Sequence, residues 1–232
     1  MWYFDPFAGP SPQRTRPATY DIAILHTLSY NAIEPSTLLW GGMTKLLEIR
    51  WHGRAGQGVV TASELLAQTA LGDGKYFQAF PEYGPERMGA PVRAYTRISD
   101  IPIYNYSGVD EPDVVVVLDP SLLGIVDVTS GLDGSGVLIV NTSLEPAAVR
   151  AKTGYAVGTV LTLDATRIAL DTIGKNITNT PMLGALLRAT GVVSQESVIV
   201  TFKEKLGAKL KAKGVEANIQ AFDRGYSEAK EG

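Results

Sequence analysis

The stretch that decides the fold runs from residue 46 to residue 71 and reads LLEIRWH, GRAGQG and VVTASELLAQTAL in turn. Residues 46–52 predict a β-strand because apolar and aromatic side chains dominate them. Residues 53–58 hold three glycines and predict a turn. Residues 59–71 place leucine and alanine at helical spacing and predict an amphipathic helix. A strand that enters a helix through a glycine-rich turn indicates an α/β protein.

The rest of the chain predicts further strands and then helices. Strands are predicted at residues 75–80, 92–98, 114–118 and 137–140, with 101–106 as the hairpin partner of 92–98 and an edge strand within 155–163. Helices are predicted at residues 165–173, 181–190, 195–210 and 215–230, the second with Thr180 as N-cap and Pro181 at its first position. This order favours a three-layer α/β/α domain with a mixed, mostly parallel sheet.

Composition excludes several classes of protein. The 232 residues carry a formal net charge of −3 and contain no cysteine. Disulfides, thiolate zinc sites and cysteine-ligated iron–sulfur clusters are therefore excluded from this chain. The only histidines are His26 and His52, so we expect no metal site. An acidic balance without a clustered basic face does not indicate nucleic-acid binding, and no apolar run is long enough to predict a membrane span.

Residues 1–42 differ from the rest of the chain, because they are rich in proline and aromatic residues and show no strand or helix period. We interpret them as an N-terminal extension and residues 43–232 as the domain. In the favoured interpretation Met43 is the natural translation start. The alternative is a genuine extension that packs on a partner subunit. A secretory signal fits badly, since no basic segment precedes a compact apolar one.

The glycine turn, residues 53–58, allows two interpretations. Backbone N–H groups at the start of a helix can bind a phosphate or carboxylate, and Arg54 and Gln57 suit anion or amide recognition. The spacing is G-x-x-G-x-G, however, whereas the dinucleotide fingerprint is G-x-G-x-x-G, and no acidic residue ends the second predicted strand. A tight connection without a ligand is equally open. His52, beside the turn, is expected to be a structural residue bonded to backbone rather than a catalytic base.

Residues 82–91, EYGPERMGAP, form a Gly/Pro loop with two carboxylates, an arginine and a phenol. Such loops often carry function, but an ion-paired surface turn, with Glu86 bonded to Arg87 or Arg93, is slightly favoured. The run Gly72-Asp73-Gly74, with Asn105 further on, is similar to a magnesium and diphosphate motif of thiamine enzymes. Its place after a helix favours a helix C-cap instead.

Three segments in order resemble one family, the gamma subunits of 2-oxoacid:ferredoxin oxidoreductases. They are residues 49–62 around the glycine turn, residues 83–92 in the Gly/Pro loop, and residues 179–185, which read NTPMLGA. The resemblance starts just after Met43, which supports that residue as the natural start. Ala55 stands where the family often has glycine, and Met88 where a second arginine is common. The run Gly89-Ala90-Pro91 is more similar to pyruvate or branched-chain enzymes than to 2-oxoglutarate enzymes.

The resemblance implies a subunit of a complex that converts a 2-oxoacid and coenzyme A to acyl-CoA and carbon dioxide and reduces ferredoxin, or runs in reverse as a pyruvate synthase. It implies no cofactor in this chain, and thiamine diphosphate, magnesium and [4Fe-4S] clusters on partner subunits. The implied partners are alpha, beta and ferredoxin-like delta subunits, with ferredoxin and coenzyme A for the complex. A cytoplasmic location and an inactive isolated chain are the matching expectations.

By the same resemblance, loops of this chain border the active-site or coenzyme A channel, and no catalytic residue is assigned. The candidate residues are Gly53, Arg54, Gly56, Gln57, Gly58, Tyr83, Glu86, Arg87 and Arg93. Two other functions stay open. One is a non-catalytic assembly module whose loops only pack on neighbouring subunits. The other is a stand-alone oxidoreductase that binds a nucleotide at the glycine turn.

Overall fold

The computed structural model describes residues 46–82 and 89–232, and within them seven strands form one mixed sheet. In chain order the strands are β1 (Leu47–Arg54), β2 (Tyr76–Glu82), β3 (Pro91–Ser99), β4 (Val114–Val117), β5 (Val137–Asn141), β6 (Thr159–Leu163) and β7 (Lys230–Glu231). Their order across the sheet is β2-β3-β1-β4-β5-β6-β7. Residues 1–42 and Met43 lie outside the described residues, so the division of the chain at residue 43 stays a prediction.

Six α-helices occur in the same described ranges: α1 (Val59–Gly72), α2 (Pro146–Thr153), α3 (Ala165–Thr172), α4 (Asn179–Thr190), α5 (Gln195–Gly207) and α6 (Ala212–Glu228). A short 3-10 helix, Pro120–Leu122, follows β4. All the helices that the sequence predicts are confirmed to within a few residues. Helix α2 was not predicted. Only Pro146 and Val149 of its eight residues are buried, so it lacks the apolar repeat that identifies a helix.

Strand β1 stands where the direction of the sheet changes. It pairs antiparallel with β3 on one side and parallel with β4 on the other. Gly53 is opposite Val92 in β3, and His52 is opposite Val117 in β4. The carboxyl ends of β1 and β4 and the start of β3 therefore meet at one edge of the sheet. This register places the glycine turn beside the end of the Gly/Pro loop.

The sheet separates two hydrophobic cores. Helices α1, α4, α5 and α6 cover one face, where Trp51, Leu66, Phe202 and Phe222 are fully buried and the two phenylalanine rings meet edge to face with centroids 5.8 Å apart. On the other face α2 and the 3-10 helix cover β4, β5 and β6 around a smaller core. Each fully buried side chain of this size contributes about 1.5–3 kcal/mol. The α/β/α layering is confirmed, with a thin second helical layer.

The second face of the antiparallel half is polar and is covered by loop rather than by helix. The guanidinium of Arg97, which is fully buried, donates to the carbonyl oxygens of Asn105, Ser107 and Gly108 at 3.3, 2.8 and 3.0 Å. The prediction of a hairpin strand at residues 101–106 is wrong. Arg97 bonds one carbonyl of this segment, that of Asn105, which a strand would direct at a neighbouring strand, and the carbonyls of Ser107 and Gly108 just after it.

Two boundary predictions are also wrong. Helix α4 begins at Asn179 with Thr178 as its N-cap, so Thr180 lies inside the helix. The Thr180 hydroxyl donates to Oδ1 of Asn218 at 3.0 Å rather than capping the helix. Strand β6, predicted as an edge strand, is flanked by the two-residue strand β7, which pairs with Leu161 and Thr162.

Candidate functional site

The glycine turn joins β1 to α1 at the edge of the sheet where β1 and β4 end. Gly53 is the second-last residue of β1, and a Cβ atom at this position would lie 2.5 Å from Cγ2 of Val59 in the following helix. Gly58 is the N-cap of α1 with φ of +78°, a conformation that side chains disfavour. Gly56 is exposed at the tip of the turn. Gly56 has φ of +94°, which also favours glycine, so the geometry of the turn accounts for all three of its glycines.

Arg54 is held within the protein by the turn that follows β4. Its Nε atom lies 3.3 Å from Oδ2 of Asp119, and Nη2 donates to Oγ of Ser121 at 2.8 Å. Gln57 donates from Nε2 to the same Asp119 oxygen at 2.6 Å and accepts the backbone N–H of Arg54 at 2.8 Å. The two side chains that suggested anion recognition are therefore both bonded to a carboxylate of this chain.

Asp119 is a further residue of the candidate site, one that the sequence analysis did not identify. Burial alone would raise the pKa of its carboxyl, but hydrogen bonds from Ser121 and Gln57 and the charge of Arg54 lower that pKa below its ordinary value. The Asp119 carboxylate also accepts the backbone N–H of Ser121 at 2.9 Å and so caps the 3-10 helix. The available signal was the run Asp119-Pro120 directly after a buried strand, which reads as a helix start.

Arg93 faces a second group of polar residues on β2 and β3. Its Nη2 atom bonds Oε1 of Glu82 at 2.6 Å, and the Tyr95 hydroxyl donates to the other oxygen of Glu82. Burial and then this hydrogen bond raise the pKa of Tyr95 to about 12. An open cavity of about 420 Å³ adjoins the group and is lined by Phe80, Pro81, Glu82, Arg93, Tyr95, Gly108 and Asp110.

Arg93 bonds Glu82. Glu82 is therefore a further site residue, at the start of the loop that the sequence analysis singled out. Glu86 lies outside the described residues, so its expected ion pair with Arg87 or Arg93 stays a prediction. Tyr83, Glu86 and Arg87 lie outside the described residues, so their predicted roles stay predictions.

The three segments that carry the family resemblance meet in space. The backbone N–H of Ala55 donates to the carbonyl of Ala90 at 3.0 Å, and Arg54 donates from Nη1 to the carbonyl of Gly89 at 2.9 Å. These bonds join the glycine turn to the end of the Gly/Pro loop. The third segment, residues 179–185, approaches the glycine turn at Asn179. Nδ2 of Asn179 lies 2.8 Å from the position that a Cβ atom on Gly58 would take.

His52 is neutral and structural. It is 2% exposed, and its Nε2 accepts a hydrogen bond from Nε of Arg50 at 3.1 Å. Burial, followed by the charges of Arg50 and Arg93, lowers the pKa of His52 to about 3. The partner is thus a side chain and not the backbone that the sequence analysis expected. A histidine with this pKa is a poor general base near neutral pH, because it takes up a proton only in strong acid.

The run Gly72-Asp73-Gly74 has a structural role. The Asp73 carboxylate accepts the backbone N–H of Ser194 at 3.0 Å and the hydroxyl of Ser197, at the start of α5. It therefore holds the end of α1 against the start of α5. Within residues 46–82 and 89–232, no group of three or more histidine, aspartate and glutamate residues could hold a metal ion, and no helix is long and apolar enough to cross a membrane.

Comparisons with known proteins agree on one family. The family described as pyruvate ferredoxin/flavodoxin oxidoreductase matches residues 48–228. The pyruvate synthase subunit PorC of Thermotoga maritima is 50% identical over 186 residues, which cover 80% of this chain and 96% of the relative. The common gamma subunit of the pyruvate and ketoisovalerate oxidoreductases of Thermococcus kodakarensis is 51% identical over 179 residues, 77% of this chain and 97% of the relative.

The fold agrees with a solved structure of such a subunit. The crystal structure of pyruvate oxidoreductase subunit PORC from Thermotoga maritima is similar with a TM-score of 0.72 and 47% identity. The similarity covers 81% of this chain and 98% of that one. The mixed α/β sheet and its helices are therefore those of a known subunit fold.

Proposed function

Because this chain belongs to the pyruvate ferredoxin/flavodoxin oxidoreductase family, as a gamma-type subunit, we propose that it completes a complex that oxidises a 2-oxoacid with coenzyme A and passes electrons to ferredoxin. The complex would release carbon dioxide and acyl-CoA, and would work in reverse as a pyruvate synthase. The relatives named for pyruvate and for ketoisovalerate make both of these 2-oxoacids candidate substrates.

The redox chemistry of this complex would take place on partner subunits. The chain has no cysteine thiolate to hold an iron–sulfur cluster, and the described residues offer no cluster of carboxylates for the magnesium of thiamine diphosphate. We assign thiamine diphosphate, magnesium and [4Fe-4S] clusters to alpha, beta and delta partners. This chain would then contribute surfaces that contact the partner subunits and form part of the border of the channel.

The observation that carries the proposal is the convergence of the glycine turn, the end of the Gly/Pro loop and the start of α4 at one place. We propose that this place borders the coenzyme A or oxoacid channel, with Gly53, Arg54, Gly56, Gln57, Gly58, Tyr83, Glu86, Arg87 and Arg93 around it. Arg54 and Gln57 would fix the conformation of the glycine turn at this border, because the Asp119 carboxylate already bonds both side chains. Arg93 faces an open cavity, and 45% of its side chain is exposed.

Substitution of Arg93 in the assembled complex tests this role. Arg93→Ala should raise the KM for coenzyme A or for the oxoacid by roughly tenfold, which corresponds to the loss of one charge-assisted contact. Arg87→Ala tests the neighbouring loop in the same way. Arg224→Ala is the matched control, because Arg224 lies in α6 and pairs with Glu228 at 2.5 Å. Unchanged kinetic constants for Arg93→Ala and Arg87→Ala in an intact complex would contradict the proposal.

A purely structural assembly role is the second candidate, and one observation favours it. Tyr104 and Tyr106 project from the loop that covers Arg97 with 80% and 81% of their surfaces exposed. Aromatic side chains displayed in this way are common where proteins associate. Under this alternative, Tyr104→Ser with Tyr106→Ser would weaken assembly, while the Arg93 substitution would leave the kinetics of the assembled complex unchanged.

A further inference from the structure

The net charge of the chain conceals one strongly basic segment, residues 203–213. This basic segment holds five of the ten lysines and one glutamate, a formal charge of +4 within a chain whose net charge is −3. All five lysines are exposed: Lys203, Lys205, Lys209, Lys211 and Lys213. Among the described residues, lysine forms ion pairs at Lys75 and Lys230, and the five ammonium groups of the basic segment pair with no carboxylate there. Positive charge is therefore concentrated at this place without being neutralised.

The end of α5 explains part of the basic segment. Lys205 lies in the last turn of α5, with Lys203 and Lys209 near it in sequence, and a positive charge there is favoured by the negative end of the helix dipole. The start of the same helix follows the opposite rule, because Ser194 caps it with its side chain and Glu196 lies in its first turn. These three lysines therefore have a structural explanation.

Lys211 and Lys213 break two preferences at the start of α6. Lys211 is the N-cap residue and forms no side-chain capping hydrogen bond, although Ser, Thr, Asp and Asn are preferred there. Lys213 lies in the first turn, which contains no acidic residue, so both ammonium groups lie at the positive end of the helix dipole. Residues that break a local rule without a compensating contact are expected at functional sites.

The basic segment lies beside the candidate site. Nδ2 of Asn218 donates to the carbonyl of Gly214 at 2.8 Å in the first turn of α6. Oδ1 of Asn218 accepts the hydroxyl of Thr180 at 3.0 Å, which joins this turn to the start of α4. The preceding residue of α4, Asn179, lies against Gly58 in the glycine turn. A protein bound to the basic segment would therefore lie next to the edge of the sheet where the candidate site is.

The form of the basic segment argues against a small anion as its ligand. Residues 207–213 are exposed without exception, so these ammonium groups stand on an open connection between two helices. Small ligands bind in concave sites where a few polar groups converge. A surface of dispersed charges fits a larger partner that carries several negative charges.

The composition of the basic segment favours an acidic protein as that partner. The segment contains neither arginine, which suits bidentate phosphate contacts, nor an aromatic residue on which a base could stack. Leu210, with 41% of its surface exposed, lies among the lysines and offers an apolar contact inside a charged rim, as protein interfaces do. One exposed leucine is a small apolar surface for a helix that inserts into a membrane.

We propose that the basic segment docks an acidic surface of a second protein. Carboxylates of that protein would pair with the five ammonium groups and would also compensate the exposed dipole end of α6. The association would be transient, because charges of this kind raise the association rate more than the affinity, whereas permanent interfaces bury large apolar areas. This inference goes beyond the function proposed above and does not depend on it.

The test uses the full chain and fluorescein-labelled poly-L-glutamate, with binding measured by fluorescence anisotropy. We expect the wild-type chain to bind the probe and the affinity to fall as salt rises from about 25 mM to about 200 mM, because salt screens exposed charges. A random-sequence DNA duplex and vesicles of phosphatidylserine and phosphatidylcholine are measured in parallel. Both should bind more weakly than poly-L-glutamate.

Lys211→Asp with Lys213→Glu is the decisive variant. It reverses two charges of the basic segment and supplies the acidic residues that the start of α6 lacks, so the thermal unfolding midpoint should rise by about 2–4 °C. The affinity for poly-L-glutamate should fall by at least about tenfold. Lys152→Glu with Lys175→Glu is the matched control, because both lysines are exposed outside the basic segment and the change in net charge is the same. A gain of stability with a loss of binding distinguishes docking from a structural role.

Three outcomes would overturn the proposal. They are a wild-type chain that does not bind poly-L-glutamate, an equal loss of affinity in the two double variants, and tighter binding of the duplex or the vesicles that is lost in Lys211→Asp with Lys213→Glu. If that variant fails to fold, Lys211→Ser with Lys213→Ala takes its place, since serine is also a favoured N-cap. The Arg93 kinetics test the channel function separately, so either proposal can fail while the other stands.

Discussion

Nε of Arg54 lies 3.3 Å from Oδ2 of Asp119, and this ion pair joins the turn after β1 to the turn after β4. The two strands are parallel neighbours, so this ion pair adds a side-chain link at their carboxyl ends to the ladder between them. Gln57 bonds the same Asp119 oxygen from the far side of the glycine turn. The shape of the glycine turn therefore depends on a residue more than sixty positions later in the sequence.

Asp119→Asn should loosen this connection. We expect a loss of about 1–2 kcal/mol in the free energy of unfolding at neutral pH, because a charged partner of two side chains is replaced by a neutral one. The lowered pKa of Asp119 gives the sign of the pH dependence: its contribution is present above the ordinary carboxyl pKa of 3.8 and is lost as the pH falls through the lower folded value. Denaturant unfolding at several pH values measures this. A gap between wild type and variant that does not shrink in acid would count against the ion pair.

Gly184→Ala should strongly destabilise the packing of α4 on α6. A Cβ at Gly184 would lie 2.2 Å from the carbonyl oxygen of Phe222, and this neighbour is backbone that cannot move aside. We expect a cost of about 3 kcal/mol, measured by denaturant unfolding. Gly207→Ala at the end of α5 is the control, because no atom lies within 4 Å of its added Cβ. A large loss in that control, or none at Gly184, would contradict the packing argument.

Arg97→Met should release the loop over the antiparallel half of the sheet. The substitution removes the donors to Ser107 and Gly108 and leaves Glu48 without the cation 2.6 Å away. Breaking a buried ion pair of this kind costs about 3–5 kcal/mol, and amide hydrogen exchange of residues 105–110 should accelerate. Arg224→Met, which breaks exposed pairs, should cost about 1 kcal/mol or less. Equal losses of unfolding free energy in Arg97→Met and Arg224→Met would contradict the argument that burial makes the Arg97 contacts more stabilising.

His52→Gln should flatten the acid dependence of stability. The wild-type pKa falls from 6.5 to about 3 on folding, so the folded protein resists protonation. Stability that neutral His52 contributes is present above pH 6.5 and is lost as the pH falls from 6.5 towards 3. Glutamine keeps an acceptor for Nε of Arg50 but does not titrate. The slope of unfolding free energy against pH over this interval should therefore be smaller in the variant. An NMR titration of the imidazole near pH 6.5 would refute the buried neutral state.

Apolar periodicity and glycine positions in the sequence correctly predicted the elements whose conformation depends mainly on neighbouring residues. The glycine turn, helix α1 and strands β3 to β5 follow from the sequence between residues 53 and 141, because apolar period and glycine position fix them. The segment after β3 could not be predicted in this way. Its apolar and aromatic residues suggest a strand, but the buried guanidinium of Arg97 bonds the carbonyls of Asn105 and Ser107 in and just after it. A long-range bond from one arginine to several carbonyls leaves no periodic signal in the segment it binds.

The candidate site shows the same division. The sequence identified Arg54 and Gln57 from their place in the turn but not Asp119, which binds both of them. It identified the segment around Asn179 by resemblance but could not place it against Gly58. Those contacts depend on which strands lie side by side and on how α4 crosses the sheet. The parallel neighbour of β1 is known only once the topology is known.

The bonds from Arg97 have a consequence for Tyr104 and Tyr106. The carbonyls of Asn105, Ser107 and Gly108 are fixed by one buried guanidinium, so the backbone that carries both phenol rings is already ordered in the isolated chain. Ordering one residue of a flexible loop costs about 1–2 kcal/mol of conformational entropy at room temperature. A neighbour that covers the two rings would meet a preorganised surface, and most of that entropic cost would already have been met during folding.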